Sequence, residues 1–337
     1  MFDLIALGAV FLDQEFRFMG SVEQGGKRIV ELAFHEEQRG KDLYVSPGGS
    51  AVNTAVQAAR LGLKVRVVGK VGSDPFGDLI RHGLEREGVD AGGLLQSGGD
   101  GTGVTVILSG RRAHELDTAM ITYNGANEVL EMPDLAPLPL REKGSGGRRG
   151  AFFVGDFFSL PRLQAGLADL LSDAREKGWV TVLDHGRFLR RTTADRVVRD
   201  LQICMERVDM YLPSEREIRE LTSRPDLGDA MAEVLERYGV KWLVVKRGAS
   251  GCRVGYEGGS LDVPAFRVRE GGVSALGAGS AFNAAFVAQW LEDPDDLLLA
   301  ARMANAAGRL RIASGRPPDR ARLLNFLEKQ ARKGAGP

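Results

Sequence analysis

The chain has 337 residues, 43% of them hydrophobic, and its 45 basic residues are balanced by 45 acidic ones. That composition fits a globular protein with a large core, and zero formal charge argues against nucleic-acid binding, which brings a basic excess. Glycine fills 44 positions, close to twice the usual ~7%.

The first predicted element is an apolar run over residues 4–12, bounded by Asp3 and Asp13. It lacks a basic leader and is too short to cross a bilayer, so it reads as a buried strand with no membrane contact. Residues 16–44 read as short alternating strands. The glycine-rich segment 46–53 then opens a helix marked by Val52, Ala55, Val56 and Ala59. A buried strand is predicted at 65–71. Residues 102–123 read as a second alternating pair, turning at Gly110-Arg111-Arg112. Buried strands follow at 152–154, 180–183, 210–212 and 242–245. Helices are marked by Leu163, Leu167, Leu170 and Leu171, by Val197, Leu201 and Cys204, and by Phe282, Ala285, Phe286 and Trp290.

Most of these strands are continuous apolar runs, as expected when both faces are covered. Their alternation with helices predicts an α/β fold, a doubly wound and mainly parallel sheet with helices on both faces. One domain over 1–330 is expected, with 14–45 and 100–125 forming a small β-sheet lid. The glycines at 98–103 and 144–150 read as loop residues. Cys204 and Cys252 make no disulfide framework, and the four histidines have no metal-binding spacing. A reducing, cytoplasmic setting fits.

No Walker A pattern is present, and no GxGxxG follows the first strand. What remains is Gly277-Ala278-Gly279-Ser280 before an apolar helix. Glycines at a helix start let backbone N–H groups converge, with the helix dipole adding positive potential, which suits a phosphoryl group. Upstream, Gly48-Gly49 allows close backbone approach and Asn53 falls one helical turn further on. Asp13, read as the end of the first strand, is placed to share that cleft and accept hydrogen bonds from hydroxyls.

Taken in order, these residues resemble the ribokinase (PfkB) family of carbohydrate and nucleoside kinases over nearly the whole chain. Asp13 resembles the family's substrate-binding aspartate. Gly48-Gly49-x-x-x-Asn53, with Gly72-x-Asp74-x-x-Gly77, resembles its first signature, and Gly125-Ala126-Asn127 the segment after the lid hairpin. Lys246-Arg247-Gly248-Ala249-Ser250-Gly251 is similar to the nucleotide-side turn, Gly277-Ala278-Gly279 to the anion hole, and Asn305 to a residue near the adenine site. The resemblance implies a ribokinase-like fold and ATP- and Mg2+-dependent phosphoryl transfer to a hydroxyl of a small sugar or nucleoside. The substrate would lie by Asp13, Gly48, Gly49 and Asn53, and ATP by Lys246, Gly248, Gly251 and Asn305. It also implies a homodimer formed through the lid.

The second signature departs from the family's Asp-Thr-Thr-Gly-Ala-Gly-Asp. Here it reads Ser274-Ala275-Leu276-Gly277-Ala278-Gly279-Ser280. Ser280 stands at the position of the general base, and a neutral hydroxyl takes up a proton poorly near pH 7. The magnesium-linked Asn-x-x-Glu survives only as Glu217, after Ser214, and Asp-Pro-Asn becomes Asp184-His185-Gly186. Two expectations stay open: an atypical kinase of impaired activity, with Glu217 and Asp184 as the available acids, or an inactive pseudokinase that binds sugar, nucleoside or nucleotide as a sensor or interaction protein.

Overall fold

The computed structural model describes residues 2–19, 43–112, 115–135, 149–186, 195–267 and 274–334. Thirteen strands occur among them: β1 (Leu4–Leu7), β2 (Phe11–Met19), β3 (Leu43–Gly48), β4 (Val65–Gly72), β5 (Asp90–Ser97), β6 (Gly103–Arg112), β7 (Glu115–Tyr123), β8 (Gly150–Gly155), β9 (Trp179–Asp184), β10 (Met210–Tyr211), β11 (Trp242–Lys246), β12 (Cys252–Tyr256) and β13 (Gly259–Val263). The described helices are α1 (Ser50–Arg60), α2 (Pro75–Arg86), α3 (Met132–Leu135), α4 (Leu167–Glu176), α5 (Asp195–Met205), α6 (Glu215–Thr222), α7 (Leu227–Tyr238), α8 (Ala278–Glu292), α9 (Leu297–Ser314) and α10 (Arg320–Gly334).

Nine strands form one sheet in the order β13-β12-β11-β10-β9-β8-β1-β4-β5. Seven run parallel, while β12 and β13 are added antiparallel at one edge. The two-residue side-chain period divides β1 between two cores. Leu4 and Ala6 pack with α1, α8 and α9, whereas Ile5 and Leu7 pack with α4 and α7. Helix α8 is apolar almost all round because it is buried between the sheet, α1 and α9. At its far end Trp290 meets Trp242 edge-on, with ring centroids 4.6 Å apart.

The lid is a separate four-stranded sheet, β3-β2-β6-β7. The predicted hairpin over 102–123 is β6 and β7. Of the expected strands over 16–44, the ends lie in β2 and β3, and residues 20–42 lie outside the described residues, as do 144–148 of the predicted 144–150 loop. One expectation needs correction. The 4–12 run is not one strand: β1 ends at Leu7, and the chain crosses into the lid as β2, so Asp13 sits inside the lid sheet opposite Ser46.

Buried Asn127 fixes that crossing. Its Oδ1 accepts from Val10 N (2.7 Å) and its Nδ2 donates to Val10 O (2.9 Å), satisfying both backbone groups where the chain leaves one sheet for the other. Asp74 of the first signature is also structural. It caps α2 by accepting from Gly77 N (2.9 Å), and it accepts from Thr102 N (2.7 Å) at the base of the lid.

Candidate active site

The carboxyl ends of β8, β9 and β11 deliver Asp156, Asp184 and Lys246 to one place. Beyond strand ends is where open α/β sheets bind ligands. Gly48 and Gly49 form the floor beside them. A side chain at Gly48 would overlap the Asp13 carboxyl, and one at Gly49 (φ 104°) would overlap Ala9 O and come within 3.4 Å of Asp156 Oδ2. Each glycine therefore admits a carboxylate, one from the lid and one from the large sheet. Asn53, half-buried in the first turns of α1, is on the same segment; its backbone N–H donates to Gly49 O (2.9 Å).

Asp156 has a left-handed backbone (φ 57°, ψ 38°), rare for a non-glycine residue. That turn aims Oδ2 at the start of α1, where it accepts from Ser50 N (2.6 Å) and Ala51 N (3.4 Å). Burial pushes the Asp156 carboxyl up to about 7, helped by the charge of Asp184. Burial likewise takes Asp13 to about 7, with Asp156 and Glu15 adding to it and Thr105 and Arg311 opposing. Asp184 differs. Burial would raise it too, but Lys246 and Asn283 outweigh that and hold it below the usual range. Asp184 Oδ2 accepts from Asn283 Nδ2 (2.5 Å), Lys246 Nζ (3.1 Å) and Ser50 Oγ (3.3 Å).

Gly277 (φ 73°) is the N-cap of α8, and Ala281 N closes the first turn onto its carbonyl (2.9 Å). Space in front of Gly279 is open, with no atom within 4 Å of where a side chain would begin. Ala278 and Gly279 line a cavity of about 550 Å³ together with Lys246, Gly248, Gly251, Phe266 and Asn305. Asn305 also ties the chain after β13, donating to Val263 O (3.1 Å) and Pro264 O (3.2 Å). The cavity and its open glycines fit a nucleotide with its phosphates at α8.

Magnesium finds less protein. Among the described residues no three ligating side chains cluster. Glu217 is committed to a capping box, with Oε2 accepting from Ser214 N (2.6 Å) while Ser214 Oγ accepts from Glu217 N (3.3 Å). A magnesium ion here would be carried mainly by nucleotide phosphates, as such ions often are.

Sequence reasoning missed four residues. Asp156 had one signal, an acid directly after a buried strand. Asn283 lies one turn beyond Ser280 on α8. Arg311 reaches from α9 to Gly277, its Nε 3.1 Å from where a side chain there would begin. Glu15, buried in the lid, accepts from Ser109 Oγ and Ser274 Oγ (both 2.7 Å), which joins the lid to the second signature.

A large parallel sheet, a small lid, a carboxylate-lined glycine floor and a helix-start anion site together define a small-molecule kinase architecture. The pfkB family carbohydrate kinase pattern matches residues 26–317, and the chain belongs to that family. It is 31% identical over 265 residues to an ATP-dependent ribose-1-phosphate kinase of Halopiger xanaduensis, covering 79% of this chain and 80% of the relative. It is 28% identical over 298 residues to fructokinase-1 of Zea mays, covering 84% and 89%. A structure of Arabidopsis thaliana ribokinase complexed with ribose and ATP superposes with a TM-score of 0.74 at 22% identity, covering 97% and 99%. The mainly parallel sheet with helices on both faces and a β lid is thus the ribokinase-like fold.

Proposed function

We propose that the protein transfers the γ-phosphoryl group of ATP, with Mg2+, to a hydroxyl of a small sugar or nucleoside. The observation that carries this reading is the junction of two half-sites. The acceptor floor at Asp13, Gly48, Gly49 and Asn53 faces the nucleotide cavity through Asp184, whose carboxylate binds Ser50 of α1, Lys246 of β11 and Asn283 of α8. Lys246, Gly248, Gly251 and Asn305 line the cavity together. ATP supplies the phosphoryl group; backbone N–H groups at Gly277, Ala278 and Gly279 hold charge as it develops there. Glu217 would act on magnesium indirectly.

Ser280 is buried in that first turn with no carboxylate of its own, so turnover is slow for the family. A general base is worth about 10²–10⁴-fold. Ser280→Asp is therefore expected to raise kcat by about 100-fold or more. The assay follows ADP release with fructose, ribose, ribose 1-phosphate and adenosine as acceptors. No turnover by either protein, with ATP and acceptors still raising the melting temperature, would favour the pseudokinase reading, which Ser280, Ser214 and the Asp184-His185-Gly186 segment support.

Among the described residues no helix is long and apolar enough to cross a membrane; a cytoplasmic location is part of the proposal. A second copy is proposed to cover the lid, where Val45 on edge strand β3 and Ile121 and Tyr123 on edge strand β7 are 51%, 70% and 59% exposed. Sedimentation should show a dimer that Ile121→Asp converts to monomer. A monomeric wild type at micromolar concentration removes the dimer.

A further inference from the structure

With serine at the position of the base, the acceptor's proton needs another destination. Glu217 is locked in the α6 capping box. Asp184 is held by three donors, one of them the Lys246 ammonium. Asp13 sits on the lid against Gly48 and bonds Thr105. Asp156 is arranged differently. Its Oδ2 is fixed by the α1 amides, which set the side chain's direction, and among the described residues no group donates to Oδ1. It is half-buried, and it neighbours Asp184, which bonds α8 one turn beyond Ser280.

We propose that Asp156 is the proton acceptor in phosphoryl transfer, replacing the carboxylate that position 280 lacks; this rests on the kinase reading above. In the step, the acceptor oxygen forms a bond to the γ-phosphorus of the nucleoside triphosphate as the bond to the bridging oxygen breaks. The leaving electron pair stays on the nucleoside diphosphate, and the hydroxyl proton moves to Asp156 Oδ1. The rare left-handed backbone is consistent with a residue held for use.

The groups facing Asp156 set its affinity for that proton. Burial and Asp184 at the end of β9 raise it, while Ser50 and Ala51 N–H groups lower it. Beyond them Lys246 neutralises Asp184, and His185, Glu15 and Arg311 form the outer ring of charge. The result, about 7, suits a base working near neutrality.

Asp156→Asn keeps an oxygen for the α1 amides and removes the base. With ATP and whichever of fructose, ribose, ribose 1-phosphate or adenosine the wild type turns over fastest, kcat should fall about 100-fold or more, with KM changed a few-fold. Wild-type kcat should fall as pH drops below 7, and this acid limb should vanish in the variant. In the Ser280→Asp background the same substitution should cost less than about 5-fold, because the base is restored. Asp13→Asn should mainly raise KM. Independently of turnover, the aspartate carboxyl ¹³C resonance that disappears in Asp156→Asn should titrate near pH 7 in nucleotide-free protein.

Loss of kcat to the same extent in both backgrounds would mean a structural role and overturn the proposal. So would retention of the acid limb, its loss in Asp13→Asn instead, or a carboxyl midpoint below 5. A wild type and Ser280→Asp both inactive would overturn the kinase reading itself. An active wild type with an indifferent Asp156→Asn overturns only this assignment.

Discussion

Asp184→Ala is expected to lower the melting temperature by about 10 °C, since breaking a buried ion pair costs about 3–5 kcal/mol. Side chains of both partners are mostly buried, 14% exposed for Lys246 and 8% for Asp184. Removing the carboxylate leaves the ammonium, among the described residues, facing only the Asn283 Oδ1 (3.1 Å), and leaves Asn283 Nδ2 and Ser50 Oγ without that acceptor. These groups lie on α1, β9, β11 and α8, so their loss also loosens the junction of acceptor floor and nucleotide cavity. Asp184→Asn retains an acceptor and should lose less. Replacing both charges, as in Asp184→Leu with Lys246→Met, should recover much of the stability and none of the function. Calorimetry checks the series; a melting temperature within about 2 °C of wild type for Asp184→Ala would show that the network does not hold the site together.

The second large effect is a dependence of stability on pH set by Asp13 and Asp156. Both carboxyls titrate near 7 in the folded protein, against 3.8 for an ordinary aspartate. Between those values the folded state binds more protons than the unfolded one, so stability is greatest below pH 4 for these groups and is lost as pH rises through 7. Each shift corresponds to roughly 4 kcal/mol. The sum is smaller than twice that, because the charge of Asp156 is one cause of the shift at Asp13. His185 opposes them: burial lowers its imidazole, so it removes stability as pH falls below 6.5. Asp184, held low, matters only in stronger acid. The clean measure is therefore a difference. Urea denaturation of wild type and Asp156→Asn at pH 5 and pH 8 should show the variant relatively more stable at pH 8, by several kcal/mol at most. Equal differences at both pH values would show that Asp156 is an ordinary surface acid. A functional site that is destabilising when ionised would be a common trade of stability for function.

The frame that carries these carboxylates is largely legible in the apolar pattern of the chain. Alternation of apolar runs with helical spacing located β1, β4, β8, β9, β10 and β11, because buried parallel strands are written as continuous hydrophobic runs. Strands β12 and β13 escaped, since Gly255, Gly258 and Gly259 interrupt their pattern, and so did the other edge strand β5, where Gly92 and Gly93 break the apolar run. Asn127 and Asp74 were visible as motif residues, yet their work as a clamp on Val10 and a cap on α2 was not. Nothing in local spacing says which distant backbone a buried amide will satisfy.

Residue types at short spacing are enough to specify the family, the paired glycines at 48–49 and the serine at position 280. The division of roles among the carboxylates is set by tertiary structure alone. Asp13, Asp156 and Asp184 are separated by up to 171 positions in the chain (184 less 13), and their protonation depends on what burial, Lys246 and one another do to them. Charge in a low-dielectric cleft is a property of neighbours in space, so the balanced composition of the chain carries no trace of how Asp13, Asp156 and Asp184 are shifted.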